Sequence, residues 1–114
     1  MRADYSSYYE VLKVLREKMP PNLPVVVRRI KSQSKEGYCM KKDKKFHIRI
    51  SVDLSESKAI DVLLHEWAHA LVWTEKYDHL TMEQFKQQMH GREWGLAYSK
   101  VYQLFEKHFL EEDR

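Results

Sequence analysis

The chain has 114 residues, of which 43% are hydrophobic and 32% charged, with a formal net charge of +3. That balance excludes a disordered chain and leaves room for one domain, residues 1–114, with a modest core. A membrane span is excluded by the absence of any run of about 18 apolar residues, and an internal disulfide by Cys39 standing alone.

The first element is a helix over about Ser6 to Met19, with Tyr8, Leu12, Leu15 and Met19 at three- and four-residue spacing. Its start, Met1-Arg2-Ala3-Asp4-Tyr5, has none of the apolar character of a secretory signal, so the expected setting is cytoplasmic. Pro20 and Pro21 end the helix because proline cannot continue its hydrogen bonding. Pro24 to Lys31 holds the β-branched run Val25-Val26-Val27 and reads as a strand. A short second strand near Tyr38-Cys39-Met40 and a turn at Asp43-Lys44 follow. Phe46, Ile48, Ile50 and Val52 then alternate with His47, Arg49 and Ser51, the pattern of a half-buried strand. Three strands joined by short turns predict a small antiparallel sheet.

After Asp53-Leu54 the period lengthens to that of a helix, with Ser55 (or Asp53) as its cap, running from about Glu56 to Tyr77. Thr81 and Gln84 have capping-box spacing for a shorter helix through Met89. A last helix, about Arg92 to Leu110, turns Trp94, Tyr98, Val101, Phe105 and Phe109 inward. Helix, small sheet, then helices is an α+β layout.

Charge is uneven along this layout. From Arg28 to Arg49 nine bases face only Glu36 and Asp43, a local balance of +7 that leaves −4 for the rest of the chain. Such a segment can present a basic face to nucleic acid or an acidic partner, with Lys41, Lys42, Lys44 and Lys45 as its densest part. The plainer reading is a set of solvated strand faces and edges that discourage aggregation.

The long helix carries His65-Glu66-Trp67-Ala68-His69, an H-E-x-x-H sequence. Residues four apart on a helix lie one above the other, so the two imidazoles can converge on one ion. Glu66 projects to the side of that axis, where a carboxylate can accept a proton from water and return it to a leaving amine. A catalytic zinc generally takes three protein ligands. The short-turn version of the motif needs Gly where Val72 stands and His where Glu75 stands, so the helix is expected to continue and the third ligand to come from elsewhere. His90, beside Gly91 and followed by Trp94 as a candidate packing residue, is the leading candidate. Glu93 is the alternative; His47, His79 and His108 are less well placed in the chain.

The pairing of His65-Glu66-Trp67-Ala68-His69 with His90-Gly91-Arg92-Glu93-Trp94 resembles the SprT-like zincins, which include the Spartan proteases. The run through Ala70-Leu71 is also similar to that of small phage-type proteins. The resemblance implies a zincin-like fold, Zn²⁺ on His65, His69 and His90, Glu66 as catalytic base, and an exposed sheet edge that holds an extended substrate. Tyr38-Cys39-Met40 is the expected edge. Departures are a longer interval between the motifs, with Thr81–Met89 as an apparent helical insertion, and no zinc ribbon after the domain.

The expected function is therefore a zinc metalloendopeptidase acting on proteins, with DNA-associated proteins as the class that the resemblance implies. One alternative is a nucleic-acid-binding module that keeps the zincin core and binds through Lys41, Lys42, Lys44 and Lys45. Another is a metallohydrolase acting on a non-peptide bond, because H-E-x-x-H does not name the bond. Glu66 favours the peptidase, since a purely structural metal site has no use for a base.

Overall fold

A computed structural model of the protein describes residues 4–31, 36–81, 83–84, 88 and 90–111. Helix α1 spans Asp4–Lys18. Its buried stripe is Tyr8, Val11 and Leu15, each 1% exposed, with Leu12 and Met19 packing at the margin. The chain leaves the helix toward Pro20, and the Met19 carbonyl accepts the indole N–H of Trp67 at 2.8 Å. A core side chain of a later helix thus satisfies a polar group at the end of the first.

Strands β1 (Val25–Ile30), β2 (Gly37–Lys42) and β3 (Lys45–Ser51) form one sheet in the order β1-β3-β2. β2 and β3 are an antiparallel hairpin. Their turn residues, Asp43 and Lys44, have φ of 56° and 61°, the left-handed pair whose twist matches a two-residue hairpin. The expectation of a wholly antiparallel sheet is corrected at β1, which runs parallel to β3. Only a tight turn forces antiparallel neighbours, and only β2 and β3 have one. Burial makes β3 central: Phe46, Ile48 and Ile50 are at most 1% exposed, so the most apolar strand takes partners on both sides.

Helix α2 runs Glu56–Leu71 and crosses the apolar face of the sheet. The Ser55 hydroxyl caps it, accepting from the Lys58 N–H at 3.3 Å. The Glu56 carboxylate accepts from the Tyr8 N–H at 2.8 Å and joins its first turn to α1. The helix stops six residues short of the expected Tyr77. Val72 and Thr74 are β-branched and weak helix formers, and Trp73 turns back to set its ring 5.7 Å from that of Phe46. Its indole N–H donates to Asp78 at 2.9 Å while Lys41 donates to the other oxygen of that carboxylate at 2.8 Å. This clamp holds a 3-10 turn, Glu75–His79, against the end of β2.

The capping box at Thr81 and Gln84 forms as expected. The Thr81 N–H donates to Gln84 Oε1 at 3.0 Å, and the Gln84 N–H donates to Thr81 Oγ1 at 3.1 Å. Residues 82, 85–87 and 89 of the expected short helix lie outside the described residues. Helix α3, Arg92–Phe105, continues as a π-helical turn, Glu106–Glu111, and anchors itself through Val101 and Phe109. The architecture is α+β, and α2 packs against β2, β3, α1 and α3.

Candidate metal centre

Two turns of α2 and the turn just before α3 bring three imidazoles together. The Nε2 atom of His65 is 3.2 Å from that of His69 and 3.2 Å from that of His90. One ligand atom from each of the three lies within 4.8 Å of the others. Nitrogens bound tetrahedrally at about 2.0–2.1 Å to one ion sit roughly 3.3–3.4 Å apart, so the spacing suits a shared cation. The chemistry agrees: one proton can bridge a single pair of these nitrogens, whereas one cation satisfies all three.

Their environment keeps the lone pairs available. Burial lowers the pKa of His69 to about 3, with His65 and His90 adding to the effect. Burial, then the neighbouring His90, lowers that of His65 as well. Neutral imidazole is the form that binds a metal.

Trp94 supports the group from below. Its indole N–H donates to the His65 carbonyl at 3.3 Å. The ring stacks on His69 at 5.3 Å and 25°, with His65 and His90 centred 4.8 Å and 4.9 Å away. Gly91 caps α3 with an extended backbone, φ −79° and ψ −166°, and its carbonyl accepts from the Gly95 N–H at 3.0 Å. That turn presents His90 to α2 while Trp94, one turn on, faces the same way.

Glu66 is 8% exposed and lines an open cleft of about 720 Å³ together with His65, His69 and His90. Burial raises its carboxyl pKa to about 7, which poises it to take or release a proton near neutrality. Cys39 faces the same cleft. Burial, then the nearby Glu66, pushes its thiol well above the usual range, so it stays protonated.

The other expected residues separate. Glu93, the alternative ligand, is exposed in the first turn of α3 and lies outside the three-imidazole group. His79 ends the 3-10 turn, His108 sits in the π-helical turn, and His47 lies on the far face of β3. The four lysines do not share one surface. Lys41 pairs with Asp78, Lys42 and Lys45 are register partners on the sheet face away from α2, and Lys44 occupies the turn.

Sequence reasoning missed the rest of the cleft wall: Asp61, Tyr98 and Tyr102. Tyr98 stacks on Trp94 at 5.0 Å and 10°, and its place four residues beyond Trp94 was the available signal. Gly37 was missed too. A Cβ there would meet Val62 Cγ1 at 2.6 Å and the Arg49 carbonyl oxygen at 2.8 Å, so β2 and α2 approach closely at the cleft only because this residue has no side chain.

A small mixed sheet crossed by a helix, with three imidazoles gathered over that helix, defines a protein built around a candidate metal centre. The match to the SprT-like family covers residues 8–111, and the chain belongs to that family. Membership suggests a metallopeptidase of the zincin type. No curated protein and no solved structure matches the chain.

Proposed function

We propose that the protein is a zinc-dependent metalloendopeptidase that hydrolyses peptide bonds in protein substrates. The observation that carries this reading is the convergence of His65, His69 and His90 at 3.2 Å Nε2 separations beside a buried carboxylate. Zinc held by these three residues would supply Lewis-acid polarisation of the scissile carbonyl and a lowered pKa for the attacking water. Glu66 takes the proton from that water and passes it to the departing amine, for which a pKa of about 7 is well matched. Trp94 fixes the ligand helix and the third-ligand turn in one arrangement. β2 is an edge strand among the described residues and borders the cleft through Gly37, Tyr38 and Cys39, a position that suits an extended substrate by strand addition. DNA-associated proteins remain the substrate class that family likeness favours.

The test joins metal analysis to cleavage of a denatured protein. Wild type is expected to carry about one zinc per chain and to cleave, with Glu66→Gln retaining zinc but losing at least about a hundredfold in rate. His90→Ala is expected to lose the metal and Glu93→Ala to keep it. Equal cleavage by wild type and Glu66→Gln would remove the assigned base, and metal loss only in Glu93→Ala would overturn the ligand set.

A further inference from the structure

Two cavities meet on strand β2. The cleft over the three imidazoles borders its first half, Gly37 to Cys39. A second cavity, of about 320 Å³, borders its second half from Cys39 onward and has Trp73, Tyr77 and Leu80 among its other walls. Cys39 lines both, so one strand edge leads from the candidate metal centre into the second cavity. Cys39 pairs with Ile48 and Lys41 with Phe46. Ile48 and Phe46 are buried on the sheet face that packs against α2, so Cys39 and Lys41 share that face.

The walls of the second cavity are held in place by one another. The Trp73 ring is 5.7 Å from that of Phe46 and 6.2 Å from that of Tyr77, at 69° to the latter. Its indole N–H and the Lys41 ammonium occupy the two oxygens of Asp78, at 2.9 Å and 2.8 Å. The Leu80 N–H donates to the Tyr77 carbonyl at 3.3 Å. Lys41 and Asp78 cancel each other's charge, and Asp43 and Lys44, exposed at the hairpin turn, carry opposite signs. What the cavity offers an incoming group is therefore aromatic and aliphatic surface.

We infer that this second cavity is a specificity subsite that takes a bulky apolar side chain of the substrate, aromatic or long aliphatic, on the N-terminal side of the scissile bond. The inference rests on the peptidase reading and on strand addition to β2. Antiparallel addition, the slightly more stable sense, runs the substrate opposite to β2. The residues over Lys41 then precede those over Cys39, which lines the cleft beside Glu66. Side chains two apart on the added strand share a face, roughly 6.6–6.8 Å from each other. The one opposite Lys41 thus enters between Trp73 and Tyr77. Burying Phe, Tyr, Leu or Met there removes apolar surface from water on both partners. Glu or Lys would lose hydration without gaining an unpaired counter-charge in the wall. Walls already fixed by the Asp78 clamp keep the ordering cost low.

The experiment uses the zinc-supplemented full chain and labelled peptides of about ten residues, built from Ser, Gly and Ala with one guest position. Mass spectrometry locates the cuts made by wild type. Fluorescence anisotropy gives affinities for Glu66→Gln, which is spared turnover. A Phe guest is expected to bind about tenfold more tightly than Ala, Glu or Lys guests. Wild type should cut roughly two to three residues C-terminal to Phe, and moving Phe along the peptide should move the cut with it. Leu80→Trp, placed in the Glu66→Gln background, fills the cavity and should bring the Phe-to-Ala affinity ratio to within about twofold. Leu96→Trp, at an exposed position on α3 that lines neither cavity, should leave that ratio near tenfold. Cleavage without guest preference, or cuts N-terminal to Phe, would overturn the subsite and leave the peptidase standing. Selective binding by Glu66→Gln without cleavage by wild type would overturn the peptidase and keep the cavity as a recognition site for apolar side chains. Equal affinity for all guests, or a Phe preference untouched by Leu80→Trp, would overturn the subsite outright.

Discussion

The Trp94 ring lies 5.3 Å from that of His69 at an interplanar angle of 25°, while its indole N–H donates to the His65 carbonyl at 3.3 Å. One side chain of α3 thereby touches both histidines that α2 contributes. It also contacts His90 from its own turn. The indole thus lies against all three imidazoles of the candidate centre.

Trp94→Leu is accordingly expected to weaken metal binding by about 10–100-fold, the range seen when groups behind metal ligands are removed. Trp94→Phe keeps the stacking surface but loses the donor to His65, so it should fall between. A chelator competition titration measures this. Unchanged affinity in Trp94→Leu would show that α2 and the His90 turn orient the ligands alone.

Opposed pKa shifts give the metal-free protein an unusual pH response. Glu66 rises from 4.5 to about 7 on folding, so its contribution is greatest below pH 4.5 and is lost as pH rises through 7. His69 falls from 6.5 to about 3, so its contribution is present above pH 6.5 and is lost as pH falls through 3. Between pH 7 and pH 5 each of these two shifts changes stability by about 2 kcal/mol, in opposite directions, and the lowered pKa of His65 adds to the His69 side. Relative to wild type, metal-free Glu66→Gln should lose about 2 kcal/mol over that interval and His69→Gln should gain about as much. Denaturant titrations at the two pH values decide the matter, and parallel behaviour of all three proteins counts against it.

The close approach of β2 to α2 makes Gly37→Ala costly. Both nearest atoms, at 2.6 Å and 2.8 Å, belong to well-packed parts of the fold, and one is a backbone oxygen. Overpacking of this kind costs about 1–3 kcal/mol. The expected readout is a lower unfolding midpoint with unchanged denaturant dependence, and a neutral substitution would mean that the helix moves away freely.

Lys44 illustrates the opposite case. It holds φ at 61°, a conformation that disfavours side chains by about 1–2 kcal/mol. Lys44→Gly should stabilise the protein by up to about 1 kcal/mol, because glycine's larger unfolded-state entropy offsets part of the gain. Thermal melts check it; a lower melting temperature would show that the lysine makes a compensating contact.

Local patterning made much of this protein legible in advance. The two-residue alternation of Phe46, Ile48 and Ile50 and the capping chemistry of Ser55, Thr81 and Gln84 involve residues close in sequence and hold in the structure. Val52, expected to continue the buried face, is instead 44% exposed past the end of β3. The His65–His69 pair follows from helical pitch alone. The end of α2 was misjudged because the clamp that stops it joins Trp73 and Asp78 to Lys41 on a different strand. Parallel pairing of β1 with β3 was likewise invisible, since strand order depends on which strand the core buries most deeply.

The sequence by itself determined a helix with two histidines placed to share a metal, a nearby candidate for a third ligand and an uneven run of positive charge. Their periods and spacings are local properties of the chain. Only the tertiary structure decided that His90 rather than Glu93 joins the imidazole group, because that depends on how the Gly91 turn and Trp94 dock on α2. It also decided that the basic run divides between two faces of a sheet. Side chains alternate along a strand, and Lys41 and Lys42 therefore part company although they are neighbours in sequence.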